Sequence, residues 1–153
     1  MSILYLAVAL IRECSSEGTR HLIRRPNPSQ PWQFIRTPRL EGESDRHALS
    51  REVALQLGLE NSRDILVSTM AQLTIEDDVD IQVAAPDQPS RLSISFYPVQ
   101  LYGPELRRSL KNSQDLYWAN AEEICAGQTQ ANGPIDPQVV KWIRRWDIIQ
   151  HWE

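Results

Sequence analysis

The chain has 153 residues, 41% of them hydrophobic, so it is long enough to bury one core, and we expect a single domain over residues 1–153. Its 20 acidic and 16 basic residues give a formal net charge of -4, which does not favour nucleic acid or an anionic membrane as a partner. Two cysteines, Cys14 and Cys125, are too few for a disulfide framework, and we expect reduced thiols in a cytoplasmic protein.

The first predicted elements in chain order are strands. The apolar run over residues 3–11 is too short to span a membrane and is followed at once by two charged residues, so a buried strand is favoured. We predict a hairpin with strands over 3–12 and 21–25, joined by a turn at 14–18. A short strand is expected next, over 32–35, followed by a loop.

A helix is predicted over residues 44–57. Ser44 suits the N-cap, because its hydroxyl can accept a hydrogen bond from the first helical turn. Gly58 provides the glycine at which helices commonly end. After this helix we expect two longer strands, over 65–74 and 91–101, with a further strand at 79–83 between them.

The last predicted element is a helix over about 137–152 that packs its apolar stripe across a sheet. Helical spacing places Trp146 in the core. The same spacing places Trp142 and Trp152 at the margin of the helix, where they would cover a sheet edge or a partner.

The most informative motif is Glu43, followed eight residues later by Arg51-Glu52-Val53 and then by Gly58-Leu59. It resembles the signature of the Nudix hydrolases, G-x5-E-x7-R-E-U-x-E-E-x-G-U, where U is aliphatic. The aromatic segment Trp32-Gln33-Phe34 and the Trp118-containing segment over 116–124 extend the resemblance. It implies an α+β protein: an α/β/α sandwich with a mixed β-sheet, a box helix at about 44–57 and a C-terminal helix at about 137–152.

The chain departs from the signature at positions that carry chemistry. Thr37 stands at the opening glycine, and Leu55 and Gln56 stand at the paired glutamates. In Nudix enzymes these glutamates hold divalent cations, so the resemblance implies Mg2+ or Mn2+ if the chain is active, with Glu52 as metal ligand and catalytic residue. Hard cations need oxygen ligands, and Glu52 alone would hold one weakly, or serve only as a solvated or ion-paired carboxylate.

Other box residues have structural roles in the family. The resemblance implies that Glu43 and Arg51 fix the loop against the helix, and that Gly58 ends the helix. Leu55 fits either a core position on a rotated helix or an apolar groove or partner surface.

Ligand contacts are assigned to three further residues. Arg36, Arg39 and Gln56 are our candidates for binding a phosphate-bearing ligand, because arginine matches phosphate geometry in two-pronged hydrogen bonds. Arg24 and Arg25 belong to the same basic set, for which ordinary surface charge is the alternative. An acidic stretch over 76–80 could supply metal ligands, or it is a solvated loop.

Two functions remain open from the sequence. The first is a catalytically impaired domain that binds a nucleotide-like or phosphate-bearing small molecule, or interacts with a protein partner or a second copy of itself. The second is a metal-dependent pyrophosphohydrolase of nucleoside diphosphate-linked substrates that uses Glu52 and a carboxylate of the 76–80 loop. A pure oligomerisation unit is a third reading, supported only by Leu55 and the marginal tryptophans.

Overall fold

The computed structural model describes residues 2–16, 18–40, 42–59, 64–78, 90–102, 110, 113–130 and 133–149. The chain forms two compact units, Met1–Ala9 with Arg36–Val99 and Leu10–Ile35 with Gln100–Glu153. The fold class is α+β with a mixed sheet, as the resemblance implied. None of the described helices is long and apolar enough to cross a membrane.

Some predictions fall outside the described residues. These are the strand at 79–83, the loop positions beyond it, and Trp152. The single domain over 1–153 stays a prediction.

The first unit combines strands with one long helix. Its elements are the first part of β1 (Ser2–Ser15), β3 (Arg36–Pro38), α1 (Asp45–Leu57), β4 (Ile65–Val67), β5 (Leu73–Asp78) and most of β6 (Ser90–Leu101). β1 pairs antiparallel with β3, and β5 pairs antiparallel with β6. The predicted strand at 91–101 is therefore present almost residue for residue.

Helix α1 begins and ends where local signals predicted. The Ser44 hydroxyl accepts a hydrogen bond from the backbone N–H of His47. Gly58 adopts the left-handed conformation, with a φ of 69°, and its N–H bonds the carbonyls of Ala54 and Leu55. The helix buries Ala48, Leu49 and Val53 and exposes most of its remaining surface.

Two predicted strands of the first unit have different bounds. Residues 65–74 do not form one strand; β4 and β5 are separated at 68–72, where the Ser68 hydroxyl accepts a hydrogen bond from Met70 and turns the chain. The short strand predicted over 32–35 forms at Arg36–Pro38 instead.

Among the residues that the structure describes, the second unit contains further strands and helices with defined ranges. They are β2 (Gly18–Arg24), β7 (Leu116–Asn120), α2 (Ala121–Ala126), β8 (Gln128–Thr129), β9 (Gly133–Pro134) and α3 (Pro137–Trp146). The second part of β1 forms the predicted hairpin with β2, and pairing extends to Ser15 and Gly18, so the turn is shorter than predicted. In this unit the backbones of Trp32 and Gln33 form isolated β-bridges, Trp32 with Ile135 and Gln33 with Arg24.

Helix α3 ends earlier than expected. Asp147 adopts a left-handed conformation, with a φ of 52°, and the N–H of Ile148 then bonds the carbonyl of Ile143. Trp142, predicted at the margin, is 1% exposed, whereas Trp146, predicted in the core, is half-buried. The helix buries Val139, Val140, Trp142 and Ile143, so its buried stripe is centred closer to Trp142 than to Trp146.

Candidate functional site

The loop before α1 holds Glu43 against the helix. Gly42 has a φ of 76°, which an L side chain rarely adopts, and the N–H of Glu43 then donates to the carbonyl of Leu40 over 3.1 Å. Thr37, at the signature's opening glycine, lies earlier, buried in β3 opposite Ala7. Residue 37 thus lies in a strand, and the positive φ before α1 occurs at residue 42.

Glu43 and Arg51 form a two-pronged ion pair. Nε and Nη2 of Arg51 each donate to a different carboxylate oxygen of Glu43, both over 3.2 Å. The hydrogen bonds from Arg51 lower the pKa of Glu43, and those to Glu43 raise the pKa of Arg51. The pair ties the loop at Glu43 to the helix at Arg51.

Glu52 lies on the next position of the helix, and both of its carboxylate oxygens accept hydrogen bonds. Nε2 of Gln56 donates to Oε1 over 2.7 Å, and Nη1 of Arg51 donates to Oε2 over 3.5 Å. The Glu52 side chain is only 19% exposed. Glu43, Arg51, Glu52 and Gln56 therefore form one continuous hydrogen-bonded chain, which we call the box network.

Leu55 lies beside this network and is 71% exposed. The core position offered as an alternative for Leu55 is therefore wrong. Its alkyl group stands in solvent at the position where the signature has a glutamate.

The two arginines assigned to ligand binding are positioned by neighbours in the same unit. Arg36 is half-buried in β3, where it lies opposite Val8. The guanidinium of Arg39 lies 4.1 Å from the ring centroid of Tyr5 and 3.9 Å from a carboxylate oxygen of Asp45. Arg39 is thus already oriented by an aromatic face and an acid.

The rest of the predicted basic set lies in the other unit. Arg24 belongs to β2, and the guanidinium of Arg25 lies 4.4 Å from the ring centroid of Trp32. The contact with Trp32 gives Arg25 a packing role within its own unit.

The acidic stretch provides few described ligands. Glu76 is exposed on β5, with a carboxylate oxygen 3.8 Å from Arg91 on β6. Asp80 lies outside the described residues. Within the described ranges, no group of three or more histidine, cysteine or acidic side chains is arranged to hold a metal ion.

The box network does not fit a hard divalent cation. A magnesium site requires oxygen ligands, but Gln56 turns its N–H donor toward Glu52, and the positive charge of Arg51 lies within 3.5 Å of the same carboxylate. Leu55 offers no donor atom. Chemically, the arrangement stabilises the carboxylate of Glu52 with hydrogen-bond donors from the same helix.

A buried histidine was missed by the sequence reading. His21 is 0% exposed, and burial, with a smaller effect from the Arg12 charge, lowers its pKa to about 4. Its ring lies edge-on to Phe34 at 6.4 Å. The buried run in β2 comprises His21, Leu22 and Ile23, and it indicates a strand covered on both faces. The two apolar residues that follow His21 could have suggested this from the sequence.

A second missed feature is the buried carboxylate of Glu123. It completes a capping box with Asn120 at the start of α2 and accepts hydrogen bonds from Tyr117 over 2.6 Å and from the backbone of Gln130 over 3.0 Å. Burial, reinforced by this bond, raises the pKa of Tyr117 to about 12. The N-x-x-E spacing was the available signal, and it indicates a structural role.

The fold is similar to several solved structures at low sequence identity. The C. elegans Ap4A hydrolase has a TM-score of 0.62 at 12% identity, covering 95% of this chain and 97% of that one. RenU, a Nudix hydrolase from M. smegmatis, has a TM-score of 0.59 at 18% identity, covering 94% and 84%. A chain in the complex between the C-terminal domain of mouse MUTYH and human PCNA has a TM-score of 0.55 at 14% identity, covering 95% and 88%.

These likenesses show that the chain has the Nudix fold. No protein-family model matches the chain, and no curated protein matches it.

Proposed function

We propose that this chain is a Nudix-fold binding or interaction domain in which side-chain hydrogen bonds have replaced the metal centre. The observation that carries the proposal is the 2.7 Å hydrogen bond from Gln56 to Glu52. A second glutamate at position 56 would repel Glu52 and attract a cation, whereas the amide N–H satisfies Glu52 without one.

The cost of displacing the network supports the same conclusion. A hydrogen bond to a charged group contributes about 1.5–3 kcal/mol, and the partial exposure of Glu52 places its bonds at the lower end. A cation at Glu52 would have to replace the bonds from Gln56 and Arg51 while lying close to the Arg51 charge. One carboxylate provides too few oxygens to offset both effects.

The ligand we propose is a nucleotide-like or phosphate-bearing small molecule. Arg36 and Arg39 are the proposed phosphate contacts, and Gln56, which belongs to the same unit, is the proposed polar contact. A structural neighbour named an Ap4A hydrolase supports a phosphate-rich ligand of this kind.

A protein partner or a second copy of the chain is the other occupant we consider. Leu55 supports it, because its exposed alkyl group adds apolar surface to an otherwise polar helix face. A chain with this fold also occurs in a protein–protein complex, that of the MUTYH C-terminal domain with PCNA. We also propose a single domain and a cytoplasmic location, the latter from the free thiols of Cys14 and Cys125.

The deciding experiment measures phosphate release. Nucleoside triphosphates, dinucleoside polyphosphates and nucleotide sugars are incubated with Mg2+ or Mn2+ and the wild-type chain, the Glu52→Gln variant, or a Glu122→Gln control. Glu122 is suited to the control because it is an exposed helix carboxylate of the other unit. We expect no turnover above the Glu52→Gln level, and ligand binding that a chelator does not change.

The opposite result would support the alternative function. Metal-dependent turnover that is lost in Glu52→Gln and kept in Glu122→Gln means a pyrophosphohydrolase that completes its site with another carboxylate, for which the 76–80 loop is the candidate. Saturable Mn2+ binding to the wild-type chain that disappears in Glu52→Gln would have the same meaning.

A further inference from the structure

The second unit contains a cavity that the box network does not explain. Its volume is about 610 Å3, which is within the usual range of about 300–1,000 Å3 for small-molecule sites. It lies between the end of α2 and α3, and it is a shallow depression that is widely open to solvent. None of the residues that form it belongs to the Nudix signature.

The floor of the cavity is apolar and fixed by the backbone. Gly127 ends α2 with a φ of 76°, and a Cβ added there would lie 3.4 Å from the Val140 side chain. The N–H of Ile135 donates to the carbonyl of Gly127 over 3.0 Å, which holds the segment after β9 against the end of α2. The Val140 side chain thus already packs against Gly127, and Val140 and Ile135 are buried, so the apolar surface open to a ligand is that of Ala126 and Pro137.

The rim of the cavity is basic. Lys141, Arg144 and Arg145 are spaced three and four residues apart, so they share one face of α3, and all three are exposed. No acidic side chain is among the described residues that line the cavity. In a chain with a net charge of -4, this is a local reversal of charge.

One of the three cations is already held in place. The guanidinium of Arg145 lies 4.5 Å from the ring centroid of Trp146, so its plane is oriented before any ligand arrives. Arg144 lies one position before it on the same helix. Two neighbouring guanidinium groups offer paired N–H donors that match the oxygens of a phosphate.

We propose that this cavity binds a phosphate-bearing organic molecule about the size of a mononucleotide. The phosphate lies against Arg144, Arg145 and Lys141, and the ring or apolar body lies on Ala126 and Pro137, next to Gly127. Three cations favour a doubly charged phosphate over a single carboxylate, and the apolar floor favours an organic phosphate over the inorganic ion.

The test uses AMP as the probe, with adenosine and inorganic phosphate as its separated halves. Binding is followed by NMR through the backbone amides of Gly127 and Ile135, with the amide of Gly58 reporting on the end of the box helix. We expect saturable AMP-dependent shifts at Gly127 and Ile135, and binding of adenosine and of inorganic phosphate that is at least about tenfold weaker.

The matched variants are Arg144→Gln with Arg145→Gln, and Arg91→Gln as the control. Arg91 is an exposed arginine of the first unit that does not line the cavity. Because both cavity arginines are exposed, the double variant should fold, which its thermal unfolding checks. We expect it to bind AMP at least about tenfold more weakly, with Arg91→Gln unchanged.

Two outcomes would overturn the proposal. One is AMP binding of equal strength to the double variant and to Arg91→Gln. The other is an absence of AMP-dependent shifts at Gly127 and Ile135. If only Gly58 shifts, AMP binds at the box and not in this cavity. In that case the proposed function stands and the proposal for this cavity is refuted.

Discussion

Gln56 donates its side-chain N–H to the carboxylate of Glu52 over 2.7 Å, one helical turn along α1. We expect that reversing the departures from the signature creates a metal site. The variant Leu55→Glu with Gln56→Glu places three carboxylates on one helix face, and their mutual repulsion is relieved by a divalent cation. Its Mn2+ affinity should exceed that of the wild-type chain at least about tenfold, as measured by electron paramagnetic resonance of free Mn2+.

The control for this gain is Leu55→Gln, which changes the same exposed position without adding charge. Its Mn2+ affinity should match that of the wild-type chain. Equal Mn2+ affinity of the wild-type chain and the double variant would show that the box network does not exclude cations.

Breaking the pair between Glu43 and Arg51 should change how acid unfolds the protein. The pKa of Glu43 is lowered from 4.5 by Arg51, so its contribution to stability is present above pH 4.5 and is lost as pH falls through the lower, folded-state pKa. Denaturant unfolding of Glu43→Gln should therefore show a smaller loss of free energy of unfolding on acidification than the wild-type chain. Glu122→Gln is the control, and its loss should match that of the wild-type chain. If its loss is instead as small as that of Glu43→Gln, the acid dependence is not due to the pair between Glu43 and Arg51.

His21 should make the protein less stable below neutral pH. Its pKa is 6.5 in the unfolded chain and about 4 in the fold, so its contribution is present above pH 6.5 and is lost as pH falls toward 4. The unfolding free energy should fall by about 2 kcal/mol from this residue between about pH 7 and about pH 5.

Variants of two histidines test this pH dependence. In His21→Leu that part of the decrease should be absent, whereas His47→Gln, at an exposed helix position, should retain it. If the unfolding free energy of His21→Leu falls with pH as steeply as that of the wild-type chain, protonation of His21 does not cause the decrease.

The two tryptophans of α3 should differ in their contributions to stability. Trp142 is 1% exposed, and Trp142→Ala should lower the free energy of unfolding by about 3–5 kcal/mol because it leaves a cavity. Trp146 is half-buried beneath Arg145, and Trp146→Ala should cost less than half as much. Chemical denaturation measures both, and a larger loss in Trp146→Ala than in Trp142→Ala would mean that the helix packs as predicted from the sequence.

The sequence predicted the elements whose signals are local. Ser44 and Gly58 determine the ends of α1 through their own side chain and backbone, and both ends were predicted correctly. Strand β6 was predicted because apolar residues alternate with polar ones at its start, from Leu92 to Phe96. The Nudix resemblance depended on the same region, where spacing along one helix carries the pattern.

Features set by distant contacts were not predictable in this way. The end of α3 depends on Asp147 adopting a left-handed conformation, for which asparagine and glycine, not aspartate, are the usual signals. Trp142 and Trp146 both fit a helical stripe, and only packing decides which of them is buried. In the site, the sequence placed Gln56 near Glu52 but could not show that the amide donates to the carboxylate.

Glu52 accepts its hydrogen bonds from Arg51 and Gln56, and both of these residues belong to the same helix as Glu52. The carboxylate of Glu52 therefore gains its hydrogen-bond donors when the helix forms, without a bound ion. Under the proposed function, we therefore expect the affinity of a partner for this surface to be the same with and without magnesium.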